Sequence, residues 1–163
     1  MDKLDILSLQ KVQYAHDKRN HSDILSLHKN DRSKHYGLHF AKYSARLATG
    51  YCKKKSTLDT AVDSILVSLS SANTLMLELD FSNCSGFDWA DLIRQYTIEM
   101  AKYCDGCEKI DHAEEFWPLL REANLNIFSI SFEMASRNSN NVLGDLAHRR
   151  HALAKRQFYI GAE

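Results

Sequence analysis

Six side chains in the first half of the chain have types and spacing suited to chemistry: His35, His39, Lys42 and Arg46, then Asp59 and Asp63. Projected on a helix at 100° per residue, the four basic side chains fall within about 60° of one another. Such a stripe can cradle a phosphate or nucleotide, with Arg46 offering a planar bidentate donor and Lys42 a point charge. Asp59 and Asp63 stand one helical turn apart, beside the apolar arc of the next segment. If the two segments form an antiparallel hairpin, Arg46 comes level with the aspartates and Lys42 lies about a turn deeper. Two arrangements are then open: the cations pair with Asp59 and Asp63, or they hold an external anion. A third uses the four-residue spacing of His35 and His39 to place two imidazoles on one metal, completed by Asp59 and Asp63. Lys42 and Arg46 would repel an ion placed there.

Positioning these groups requires helices, and the chain is suited to them. Its 163 residues contain one proline, Pro118, and six glycines, so helix-ending residues are scarce. The pattern of Leu4, Leu7, Val12 and Ala15 predicts a first helix over about 3–16, interrupted at Asp17-Lys18-Arg19-Asn20. Residues 22–27 read as a short turn capped by Ser22. Leu38, Ala41, Ala45, Ala48 and Cys52 repeat at three and four residues, predicting a helix over about 32–52 with that face inward and Gly50 and Lys53-Lys54-Lys55 at its end. Ser56 or Thr57 can cap the following helix, whose apolar arc runs from Leu58 through Val62, Ile65, Leu66, Leu69, Ala72, Leu75 and Met76 to Leu79. Asp88 caps a helix that Gly106 ends or kinks, Pro118 in the early part of another over about 111–135 marks a helix start near Trp117 or a kink, and a basic helix covers about 142–157. The result is an all-α, single-domain bundle of five to six helices around a central antiparallel hairpin.

The segments Leu38-His39-Phe40-Ala41-Lys42-Tyr43-Ser44-Ala45-Arg46-Leu47-Ala48 and Leu58-Asp59-Thr60-Ala61-Val62-Asp63-Ser64-Ile65-Leu66, followed by Ser71-Ala72-Asn73 and preceded by a glutamine-containing first helix, carry a family likeness. Over residues from about 9 to 79 the chain resembles the MazG-like all-α nucleoside triphosphate pyrophosphatases. The resemblance implies a helical core in residues 1–80, C-terminal helices in 81–163 that complete the bundle, and a homodimer or higher homo-oligomer. In that family a Glu-Glu-x-x-Glu helix and a Glu-x-x-Asp helix hold Mg2+, which positions a triphosphate for attack by water. Laid over this chain, those acids fall on Lys42, Tyr43, Arg46, Thr60 and Asp63, and only Asp63 keeps its type. The expectation is therefore a divergent relative with a nucleotide- or phosphate-binding cleft, with Mg2+ implied only where nucleoside triphosphate pyrophosphohydrolase activity is retained. The alternative is a noncatalytic oligomeric interaction or scaffold protein.

Other features bound the function. The chain carries 21 Lys plus Arg against 21 Asp plus Glu, which disfavours bulk attraction to nucleic acid. By position this neutrality resolves into 12 bases against 9 acids over residues 1–80 and 9 against 12 over the remainder. The acidic start and the absence of a long apolar run point to a cytoplasmic protein without a membrane span, in which Cys52, Cys84, Cys104 and Cys107 stay reduced. Cys104-Asp105-Gly106-Cys107 with His112 has a spacing used by zinc but lacks a second pair, which favours packing thiols. His148-Arg149-Arg150-His151 reads as a solvated face or as docking on the acidic segment 88–122. Phe116-Trp117 and Phe158-Tyr159-Ile160 read as packing at helix ends or at a subunit interface.

Overall fold

The computed structural model describes residues 5–49, 55–84 and 86–156. These form seven helices and, among the described residues, no strand: α1 (Ile6–Asn20), α2 (Ser22–Ser26), α3 (Lys29–Thr49), α4 (Thr57–Thr74), α5 (Trp89–Asp111), α6 (Trp117–Ser136) and α7 (Val142–Ala154). The expected all-α bundle is present, with the short second segment raising the helix number by one. The expectations for Leu4, Gly50, Cys52, Lys53, Lys54 and residues 157–160 lie outside the described residues.

Local chemistry sets the helix starts. Ser56 and Asp88 each form a reciprocal capping box, with Asp59 and Asp91 respectively, which satisfies amides that the first helical turn leaves open. Pro118 occupies the first turn of α6, where its missing N–H costs nothing. Ser22 is the first residue of α2 and His21 precedes it as cap, so the expected serine cap is displaced by one residue. Gly106 does not end α5, which continues to Asp111. Its role is close approach: a Cβ there would sit 2.7 Å from a Leu120 methyl on α6.

Helix α4 is the hub, packing against α1, α3, α6 and α7, while α5 closes the far side against α3 and α6. Tyr36, early in α3, reaches Thr74 at the end of α4 (3.3 Å), and the later Tyr43 lies in the field of Asp63 near the start of α4. The two helices therefore run antiparallel. Ile65, Leu69, Ala72 and Leu75 are fully buried as expected, but α4 stops at Thr74, and Met76 is 75% exposed. The core is unusually rich in hydroxyls. Ser64 bonds Tyr96 and Ser131, each at 2.8 Å, and Ser71 bonds Tyr103 at 2.8 Å, so the buried tyrosines keep their partners.

Two faces depart from the apolar pattern. Helix α1 continues through Asp17-Lys18-Arg19-Asn20 and buries Ile6, Gln10, Gln13, Asp17 and Asn20, while Leu7, Val12, Tyr14 and Ala15 face solvent. Gln10 fixes this polar face, since its amide donates to Leu77 O (2.8 Å) and accepts from Leu79 N (3.0 Å), both on the backbone after α4. Helix α3 buries Ser33, Tyr36, Phe40, Tyr43 and Ser44, whereas Leu38 is 73% exposed and Ala45 and Ala48 lie outside as well. Three large side chains outweigh the alanine-rich stripe because each aromatic removes far more apolar surface from water.

Helices α4 and α5 both end with a non-glycine residue in the left-handed region, Met76 (φ 48°) and Ala113 (φ 57°). Leu77 N bonds Ala72 O at 2.9 Å and Glu114 N bonds Lys109 O at 3.1 Å, the closing bonds of Schellman turns that glycine favours. Met76→Gly and Ala113→Gly should each raise stability by up to about 1 kcal/mol, read from the urea midpoint, because relief of left-handed strain exceeds the added chain entropy. A lowered midpoint in both variants would exclude this account.

Candidate functional site

Between α1, α2, α3, α4 and α7 lies a cavity of about 330 Å³. All four members of the basic stripe, His35, His39, Lys42 and Arg46, line it, together with Asp63. Asp59 does not. Its carboxylate caps α4, accepting from Ser56 N at 3.0 Å and Ser56 Oγ at 2.9 Å. The aspartates expected to act as a pair are thus separated by function, one closing a helix end and the other facing the cavity.

Asp63 is 7% exposed and must be neutralised where it sits. The partners are not the α3 cations. Arg149 on α7 grips it through two bonds, Nε to Oδ1 at 2.5 Å and a terminal nitrogen to Oδ2 at 3.3 Å, and Lys55 Nζ stands 3.4 Å from Oδ2. The expected pairing of Lys42 and Arg46 with Asp59 and Asp63 is therefore replaced. Helix α7 docks against α4 and α1 rather than on the acidic segment 88–122. Arg149 is 15% exposed in its side chain, so this part of the basic helix is not the solvated face expected from its charge.

Lys42 and Arg46 have no carboxylate within ion-pair distance among the described residues. Lys42 Nζ donates to His39 Nδ1 at 3.0 Å and lies 5.0 Å from the centre of the Tyr43 ring. The Arg46 guanidinium lies 5.7 Å from the same ring, and its Nε is buried with no hydrogen-bond partner. Tyr43 supplies an aromatic face to both cations, a contact that positions charge without cancelling it. Burial and then the neighbouring Arg46 push the Lys42 amine below its usual range, opposed by Asp63. Burial and then Lys42 hold the His39 imidazole down at about 4, and the same two causes lower His35. These histidines are neutral near pH 7, so the charge of the stripe resides on Lys42 and Arg46.

The rest of the lining adds two kinds of surface. Lys55, Arg149 and Arg156 extend the positive side, against Asp17 and Asp63 as the only acids among the described lining residues. Ile24, Leu25, Leu66, Val67 and Leu153 supply apolar wall, and Gln13 and Ser70 supply hydrogen-bonding groups. Gln13 donates to Asp17 Oδ1 (2.8 Å) and Ser70 Oγ (3.3 Å), while its own Oε1 is buried without a partner. Gln13 and Asp17 were not singled out from sequence as site residues, and Arg149 was read only as part of a basic helix face. For the first two a signal existed: Gln10, Gln13, Asp17 and Asn20 repeat at three and four residues, a polar stripe of helical period.

The residues do not fit magnesium. Where the resemblance implies carboxylates there are Lys42, Tyr43 and Arg46, and burial raises the Tyr43 phenol so that it stays protonated. Asp63 is occupied by Arg149 and Lys55. The imidazole pair also fits a metal poorly: the His35 and His39 rings meet edge to face at 4.7 Å, but His39 Nδ1 already accepts from Lys42. Cys104 contacts Met100 Sδ at 3.7 Å and Cys107 packs beside Gly37, its thiol pushed up to about 12 by burial, so both behave as packing groups. Comparison with family models, with curated proteins and with solved structures found no match.

His39 has a depressed folded-state pKa, so the unfolded chain takes up the proton first as pH falls. Its contribution to stability is full above about pH 6.5 and is lost as pH falls towards 4, amounting to up to about 2 kcal/mol by pH 5. Urea titrations at pH 7 and 5 should show a smaller difference in His39→Gln than in the native chain. Parallel losses in both would remove His39 as the cause.

Proposed function

We propose that the cavity binds a phosphate-bearing ligand of nucleotide size, and that the protein is a divergent MazG-like chain whose site uses fixed cations where its relatives use Mg2+. The observation that carries this reading is the partnering of Asp63 by Arg149 and Lys55, which leaves Lys42 and Arg46 facing the cavity with their charge uncompensated. Half-buried cations held side by side without a carboxylate in contact carry a desolvation and repulsion cost, and an anionic ligand relieves it. The mixed lining suits a nucleotide better than inorganic phosphate: cations on one side, apolar wall and Gln13 on the other. Water attack assisted by magnesium has no support in these side chains, so the reading is of binding rather than pyrophosphate release.

Calorimetry against nucleoside triphosphates and pyrophosphate, with and without Mg2+, tests this. Binding should persist without Mg2+, weaken about tenfold or more in Lys42→Ala, and be lost in Arg46→Glu. No heat and no thermal shift with any of these anions would remove the reading. Magnesium-dependent pyrophosphate release that disappears in Asp63→Asn would replace it with the hydrolytic one.

A second reading, self-association, is favoured by the outer face of α3. Leu38 is 73% exposed, and the exposed Ala48 and half-buried Ala41 lie toward its face, giving an apolar patch on the outside of the bundle. Sedimentation should show a dimer or higher oligomer that Leu38→Glu shifts to monomer. A monomeric native chain at tens of micromolar would dismiss it.

A further inference from the structure

The end of α1 brings together three groups that the anion site does not use as cations. His16 and Asp17 lie in the last turns of the helix, and His21 follows it with backbone angles (φ −137°, ψ 40°) that leave the helical path. The chain turn sets the two imidazoles 5.5 Å apart with their planes tilted by 60°. The metal-ligating atoms of His16, Asp17 and His21 all lie within 4.8 Å of one another. We propose that His16, Asp17 and His21 form a binding site for a single transition-metal ion of the zinc type, with its open coordination position facing the cavity.

Each ligand has a surrounding that fits the role. His16 Nδ1 is 3.2 Å from the Asn20 amide, and its Nε2 is buried with no hydrogen-bond partner, which leaves Nε2 as the donor atom. As it stands the Asn20 amide nitrogen donates to both His16 Nδ1 and His16 O (3.1 Å), so metal at Nε2, which moves the ring proton to Nδ1, requires the Asn20 side chain to give up these bonds and present its oxygen or a water to Nδ1. Asp17 is oriented by Gln13 at 2.8 Å and Ser70 at 2.5 Å and retains lone pairs on both oxygens. Asp17 and His21 line the cavity, so a water or ligand atom can complete a tetrahedron there. Two imidazole nitrogens and one carboxylate oxygen select zinc-like ions over magnesium, which prefers oxygen throughout. Zinc needs the three donor atoms about 3.3 Å apart, so binding requires small side-chain rotations rather than a backbone change. The half-buried Arg150 guanidinium acts electrostatically on both Asp17 and His16 and is the charge that opposes the ion.

The test uses untagged full-length protein stripped with a chelator and titrated with Zn2+ by calorimetry and with Co2+ by visible absorption. The expected result is one ion per chain with ligand-field bands of a low-coordinate site. His16→Ala and His21→Gln should each weaken binding about tenfold or more, Arg150→Gln should tighten it, and His112→Ala, an exposed histidine at the end of α5 outside the cavity, should leave it unchanged. His21 lies at a helix end and is not fully buried, so its variant keeps the measurement interpretable if His16→Ala disturbs folding. No Zn2+ heat, or unchanged affinity in His21→Gln, overturns the site; weakening in Arg150→Gln overturns its placement. Anion binding that survives loss of the metal leaves the proposed function standing, so the two readings fail separately.

Discussion

The carboxylate of Asp63 is the constraint around which the site is arranged. It projects from the hub helix into the cavity wall and is itself buried, where an isolated negative charge would cost several kcal/mol. Its neutralisation by a bidentate arginine from α7 has two consequences. The last helix is drawn onto α4 and α1, closing one side of the cavity, and the two cations on α3 are released from any pairing duty. One ion pair thereby decides both the shape of the cavity and the sign of the potential inside it.

The remaining architecture serves the same helix. Helix α4 is surrounded on most sides, so most of its serines and threonines are buried, and among them Ser64, Ser71 and Thr74 bond to neighbouring helices. Tyrosines from α3 and α5 and Ser131 from α6 meet them, which locks the relative heights of four helices by directional bonds rather than by apolar packing alone. On the other side α1 presents glutamines and an aspartate to α4 and to the segment that follows it. The cavity opens within this polar seam. An apolar seam would have packed shut, whereas polar side chains held by fixed partners keep their spacing and leave room between them.

Most of the helical layout was legible in the sequence. The caps at Ser56 and Asp88, the start of α6 at Pro118 and the apolar arc of α4 are local patterns, and local hydrogen-bond chemistry fixes them. The basic stripe was legible for the same reason, since helical geometry alone gathers His35, His39, Lys42 and Arg46. Less legible was which face of an element turns inward. The leucine and alanine pattern of α3 and the apolar residues of α1 pointed outward because larger or hydrogen-bonding side chains found better partners on the opposite face. Hydrophobic periodicity ranks faces by transfer energy and cannot register a polar face whose side chains find hydrogen-bond partners within their own helix and on its neighbours.

The sequence by itself determined that this chain is helical, where most of its helices begin, and that a cationic stripe lies on one of them. Only the tertiary structure decided which acid meets which base. Asp63 and Arg149 are 86 residues apart, and nothing in the spacing of either marks the other. Pairing at that separation depends on how the helices stack, and the stacking is set by the summed burial and hydrogen bonding of the whole bundle. The net charge, zero over the chain, shows the same division: composition fixes the total, and the fold concentrates positive charge in one cavity.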